Sequence, residues 1–324
     1  MTKGLLTTSV GSFPKPDYLT SARNKHSRGE MPDEELQKLE RQATQEWVRL
    51  QEELGIDILV DGEMYRGDMV EYFAQNMKGF KISGLVRSYG NRYYRKPIAV
   101  GPVGRTAAIT IEWWKYTQSL TKRPVKGMLT GPYTIADWSF NEYYPSREVF
   151  ILDLARAVHE EAVDLERAGA KYIQIDEPAI STRPEEMELA SRALGIVTKG
   201  LKAHTITHIC YGDFALVYDH LVNLPVDNLD LELANSNFDL LEMFRQHPTD
   251  KALSMGVTDV HTHVIETVEQ IKERIKRGLR VFPAERLYID PDCGLKTRTE
   301  EESLGKLRNM VTAVREVKKE MGIE

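Results

Sequence analysis

Short apolar runs alternate with longer amphipathic, charge-rich segments along almost the whole chain. The runs at 5–12 (LLTTSVGS), 56–63 (IDILVDGE), 97–103 (PIAVGPV), 125–132 (VKGMLTGP), 171–178 (KYIQIDEP), 204–211 (HTITHICY), 228–235 (NLDLELAN), 252–259 (ALSMGVTD) and 286–293 (RLYIDPDC) read as strands. Between them, 33–54, 105–121, 146–169, 184–201, 237–246, 265–278 and 299–319 carry helical periodicity. Helix starts are marked by Asp33 after Pro32, by Ser146 after Pro145, and by Thr299 with Glu302 three residues later as a capping box. Such alternation implies parallel strands joined by crossover helices.

Nine strand candidates compete for the eight places of a (β/α)8 TIM barrel. The run 97–103 is the one set aside, because it lies in a Gly-, Tyr- and Arg-rich stretch, 78–103, that reads as a hairpin-like insertion after the second strand. The expected fold is therefore α/β, a single TIM-barrel domain over 1–324. A doubly wound open sheet would normally carry a Gly-rich phosphate fingerprint after its first strand, and SVGSFP is not that fingerprint.

Charge and composition narrow the class. With 43 basic and 49 acidic residues the net charge is −6, without the basic excess of a nucleic-acid surface. The opening MTKGLLTTSVGSFPKP is too short in its apolar run and too polar for a signal peptide, and no run of about 18 apolar residues is present. A cytoplasmic chain without nucleic-acid or membrane partners is expected. Thiols stay reduced there, so the two cysteines, Cys210 and Cys293, read as free, catalytic or metal-bound in preference to bridged.

A barrel enzyme collects its chemistry at the C-terminal ends of its strands. Here Ser12, Glu63, Asp176 with Glu177, His208 with Cys210, Glu232, Asp259 with His261, and Asp292 with Cys293 all fall at or just beyond such ends. His208 and Cys210 are two apart, so on an extended stretch they point to the same face. Together with Glu232 and Cys293 they offer one imidazole, one carboxylate and two thiolates, a set that suits Zn²⁺ although its spacing is not that of a zinc finger. A thiolate-rich zinc can bind an incoming thiol and keep it nucleophilic at neutral pH, which points to alkyl transfer to sulfur.

At these residues the chain resembles the catalytic C-terminal barrel of cobalamin-independent methionine synthase. The likeness is collinear through TTSVGSFPKP (7–16), DGEMYRGDMVEYF (61–73), MLTGPYTIADWSF (128–140), YIQIDEPA (172–179), HICYGDF (208–214), GVTDVHTH (256–263) and DPDCGLKTR (290–298). The resemblance implies zinc on His208, Cys210, Glu232 and Cys293. It implies homocysteine held by Val10, Gly11, Ser12, Glu63 and Asp176, where carboxylates suit an α-ammonium and Ser12 with nearby backbone N–H groups suits a carboxylate. His261 takes the place of a proton donor in methyl transfer, a role within reach of an imidazole near neutral pH. Trp138, Arg92 and Tyr93 resemble the contacts to the methyl donor. His263 has no counterpart and reads as a solvated loop histidine.

Departures from the family concern the donor. The long enzymes carry a second, N-terminal barrel; Asp61 stands where they usually have histidine; and DVHTHV replaces their continuation after the histidine. The resulting expectation is methyl transfer to homocysteine from methylcobalamin or another methylcorrinoid, with a possible corrinoid carrier protein as partner, giving methionine. Transfer from 5-methyltetrahydrofolate is the alternative. A methyltransferase for another thiol such as coenzyme M, a non-catalytic zinc or corrinoid binder, and a decarboxylase on a related barrel are further readings, and retention of Ser12, Glu63 and Asp176 favours an amino-acid acceptor.

Overall fold

The computed structural model describes residues 4–87, 93–210 and 212–324. Its elements are β1 (Leu6–Thr7), α1 (Asp17–Ser27), α2 (Asp33–Leu54), α3 (Met69–Gln75), β2 (Met77–Arg87), β3 (Tyr93–Arg105), α4 (Ile111–Ser119), β4 (Lys126–Thr130), α5 (Pro132–Asp137), β5 (Phe140–Asn141) and α6 (Arg147–Ala168). They continue as β6 (Tyr172–Asp176), α7 (Met187–Thr198), β7 (His204–Ile209), α8 (Phe214–Leu221), β8 (Asn228–Leu231), α9 (Leu240–Gln246), β9 (Ala252–Thr258), α10 (Val268–Leu279), β10 (Leu287–Pro291) and α11 (Glu300–Met321).

The long helices form where the sequence supplies both a buried stripe and end signals. Helix α2 buries Leu36, Ala43, Trp47 and Val48 on one side, carries Asp33, Glu34 and Glu35 against the positive end of its dipole, and stops at Gly55 in the left-handed conformation. Helix α6 begins at Ser146, whose hydroxyl accepts from the Val149 N–H, and α11 begins at the Thr299–Glu302 capping box.

The chain forms two compact units, one of Met1–Tyr65, Tyr116–Lys126 and Asp230–Glu324, the other of Arg66–Lys115 and Gly127–Leu229. In the first, β1, β10 and β9 are neighbours in that order and all parallel, with Leu6 opposite Tyr288 and Leu287 opposite Leu253. All seven positions of β9 are buried, as expected of a parallel strand covered on both faces. In the second, β4, β6 and β7 are neighbours, and β6 runs parallel to β7 from Tyr172 opposite His204 to Asp176 opposite His208. Strand β8 belongs to both units, Asn228 and Leu229 to one and Asp230 and Leu231 to the other.

Strands β2 and β3 pair antiparallel, and β3 pairs parallel with β5, as a separate three-stranded sheet in the second unit. The run 97–103 lies in β3. The run 56–63 differs from expectation: its described backbone makes isolated bridges, Leu59 to Val125 and Gly62 to Ser12, and no ladder. Gly62 and Glu63 both take positive φ, 75° and 59°, which ends extended pairing there. No described helix is long and apolar enough to cross a membrane.

Candidate active site

Each unit carries its own part of the polar strand ends. In the second unit, the β6–β7 register sets Asp176 beside His208, and Asp176, Glu177, His208 and Cys210 are all buried. The donor atoms of His208 and Cys210 lie within 4.8 Å of each other, as two same-face side chains should. Of the two cysteines, Cys210 is buried and Cys293 half-buried.

Asp176 and Glu177 divide the work of adjacent carboxylates. Gln174 Nε2 donates to Asp176 Oδ1 at 2.7 Å. Glu177 turns instead to the start of α5, accepting from the Tyr133 N–H at 3.0 Å, the Thr134 N–H at 2.8 Å and the Thr134 hydroxyl at 2.7 Å. Burial pushes its carboxyl up to about 7, against the pull of those donors. Glu177 thus anchors the helix that delivers Trp138, the residue at the C-terminal end of α5.

In the first unit, Val10 and Gly11 are buried, and Ser12 meets the Gly62–Glu63 turn through a bridge to Gly62 and a Phe13 N–H to Gly62 O bond of 3.1 Å. The segment after Cys293 comes to the same place. Leu295 N–H donates to Ser12 O at 2.7 Å, and a side chain at Gly294 would begin 2.1 Å from Ser12 Oγ. Only a residue without Cβ lets the backbone lie this close. Glu63 is a buried non-glycine residue in the left-handed region, a conformation that costs about 1–2 kcal/mol and persists when the surroundings impose it.

Glu232, buried at the end of β8, accepts from Asn235 Nδ2 at 2.5 Å and lies 3.1 Å from His261 Nε2 through the same oxygen. This hydrogen bond, with the nearby charges of Cys293 and Asp259 adding to it, raises the His261 pKa above its ordinary value. Asp292 holds the loop after Glu232. Its Oδ1 accepts from the Leu233 and Ala234 N–H groups at 3.1 and 2.8 Å, and its Oδ2 from Asn235 N–H at 2.7 Å. Burial pushes Asp292 up to about 7.

The loop that bears His261 is fastened from below. Fully buried Lys306 on α11 donates to Asp259 O and Glu266 Oε2, both at 2.9 Å, and to Val264 O. Glu266 Oε1 accepts from the Asp259 N–H at 2.7 Å. His263 is exposed and pairs with Glu302 at 2.7 Å. Of the expected donor contacts, Arg92 lies outside the described residues, and Tyr93 is described only by its backbone at the start of β3.

The anchoring roles of Glu177, Asp292 and Lys306 were not read from the sequence. Asp-Glu and Asp-Pro-Asp show two carboxylates each, but not which one turns to backbone amides.

Comparison with known proteins bears on the whole chain. Residues 5–316 match the family described as cobalamin-independent synthase, catalytic domain. Methionine synthase of Pyrococcus furiosus is 41% identical over 318 residues, covering 98% of this chain and 94% of the relative; that of Saccharolobus solfataricus is 38% identical, covering 98% and 96%. A solved B12-independent methionine synthase from Shewanella sp. W3-18-1, in complex with selenomethionine, superposes with a TM-score of 0.88 at 29% identity, covering 98% of this chain and 99% of that one. The fold class is thereby the α/β TIM-barrel type.

These relatives correct one expectation. A methylcobalamin or methylcorrinoid donor, with a corrinoid carrier protein, is overturned by a family and a solved relative that are cobalamin-independent. The contrast with the two-barrel enzymes, together with Asp61 and DVHTHV, had pointed to the corrinoid. Relatives of nearly the same length match end to end, so that length carries no information about the donor. The enzyme is a methyltransferase of methionine formation, and the chain belongs to the catalytic-domain family of cobalamin-independent methionine synthases.

Proposed function

We propose that the chain, acting as one catalytic domain in the cytoplasm, moves the methyl group of 5-methyltetrahydrofolate to the sulfur of L-homocysteine, giving L-methionine and tetrahydrofolate. The carrying observation is the family match over residues 5–316, and the strand-end side chains support it. Ser12 and the neighbouring backbone of Val10 and Gly11 receive the amino-acid carboxylate, and Glu63 and Asp176 its ammonium. His208, Cys210, Glu232 and Cys293 hold zinc. Their imidazole, thiols and carboxylate fit that ion, and His208 and Cys210 bring their donor atoms within 4.8 Å of each other. When bound, zinc supplies a Lewis acid that lets a thiol lose its proton near neutral pH.

His261 and Trp138 act on the donor side, with Arg92 and Tyr93. The homocysteine sulfur forms a bond to the methyl carbon as the bond from that carbon to N5 of the pterin breaks. N5 is a poor leaving group unless it gains a proton. His261 supplies it, since an imidazole can release a proton near neutral pH.

Zinc-loaded protein is incubated with homocysteine and either 5-methyltetrahydrofolate or methylcobalamin, and methionine is measured with metal content. Methionine forms from the folate, and His261→Ala loses that activity while keeping its zinc. No methionine from the folate, with zinc present and homocysteine bound, refutes the donor assignment.

A further inference from the structure

The left-handed Glu63 is held at both of its peptide groups. Its N–H donates to Asp61 Oδ1 at 2.9 Å, a turn closed by the side chain two residues earlier. Its carbonyl accepts from Lys15 Nζ at 3.0 Å. The Asp61 carboxylate is itself braced, because Tyr65 donates its hydroxyl to Oδ2 at 2.9 Å. The Tyr65 carbonyl in turn accepts from Arg23 Nη1 at 3.2 Å, and the same Arg23 nitrogen is 2.7 Å from Glu40. A residue with φ of 59° sends its Cβ in a direction that extended backbone does not, so where the Glu63 carboxylate goes depends on this clamp.

We propose that Asp61 and Lys15 are positioning residues for recognition of the substrate's α-ammonium: they hold Glu63 in the left-handed conformation from which its carboxylate meets that charge. The proposal rests on the assignment of Glu63 made above. It gives Asp61 and Lys15 a task in selecting amino-acid thiols over other thiols, although neither need touch the substrate.

The test compares homocysteine with 4-mercaptobutanoate, the same thiol acid without the α-amino group, by calorimetric titration of the zinc-loaded full chain. Glu63→Gln, Asp61→Ala and Lys15→Met should each weaken homocysteine binding by about tenfold. Binding of 4-mercaptobutanoate and zinc content should stay as in the wild type. Asp61→Asn, which keeps an oxygen to accept the Glu63 N–H, should restore most of the loss. If Glu63→Gln discriminates between the ligands but Asp61→Ala and Lys15→Met leave both unchanged, or weaken both equally, the positioning role is overturned and the Glu63 assignment stands. If Glu63→Gln itself weakens neither ligand, the assignment of Glu63 fails and this inference with it.

Discussion

Replacing Lys306 by methionine removes a charge from the interior while nearly keeping its shape. Lys306 is fully buried, and its ammonium joins Glu266 and the carbonyls of Asp259 and Val264. Breaking a buried ion pair from one side costs about 3–5 kcal/mol, since the remaining charge stays desolvated. Glu266 keeps two partners, the Asp259 N–H at 2.7 Å and Arg274 at 3.4 Å, so the lower end applies, about 3 kcal/mol. Urea denaturation at pH 7 measures it. Adding Glu266→Gln removes the stranded carboxylate, and the double variant should be at least about 1 kcal/mol more stable than the sum of the single losses. Because the same contacts fasten the His261 loop, amide exchange over 259–266 should quicken in Lys306→Met. A loss below about 1 kcal/mol, or additive losses in the cycle, refutes a coupled buried pair.

Two further outcomes follow from single contacts. Burial raises Glu40 from its ordinary 4.5 to about 7, in spite of Arg23, Lys15 and His26, so the folded state binds the proton that the unfolded chain releases. Its contribution is therefore full below pH 4.5 and is lost as pH rises through 7, by about 3 kcal/mol in all; the stability difference between wild type and Glu40→Gln should fall over that window, and a constant or rising difference in a pH series of urea melts contradicts it. At Gly131 a Cβ would begin 2.0 Å from Glu177 Cδ, so Gly131→Ala must push Glu177 off the Tyr133 and Thr134 amides; a loss of about 1–3 kcal/mol is expected, and a thermal melt unchanged from wild type would show that the carboxylate gives way freely.

The helices were legible where end signals and a buried stripe coincide. The segment 33–54 returns as Asp33–Leu54, and Thr299 opens α11 with the capping box its sequence spells. Helices α1, α3, α5 and α8 escaped: α1 buries only Leu19 and Ala22, and the other three are short and carry no capping box. The run IDILVDGE has a strand's hydrophobicity, yet Gly62 and Glu63 leave the extended region and the ladder does not form. At the site, the alternation of a strand was enough to pair His208 with Cys210. It could not separate the roles of Asp176 and Glu177, because both are buried carboxylates and only the amides of Tyr133 and Thr134 distinguish them. The methyl donor was misread from the contrast with the two-barrel enzymes, from Asp61 and from DVHTHV, none of which fixes whether a cobalt or a nitrogen leaves.

The order in which the chain passes between its units has a consequence for synthesis. Strand β1 pairs with β10, so this ladder of the first unit cannot form until most of the chain has left the ribosome. Gly127–Leu229, by contrast, can begin pairing β6 with β7 as soon as both emerge. Buried Leu5, whose N–H donates to the Ala284 carbonyl at 2.9 Å, must wait for that late segment in the nascent chain. That window is where aggregation and chaperone capture compete with folding, and destabilising changes in β10 should reduce yield in cells more than equally destabilising changes in β6.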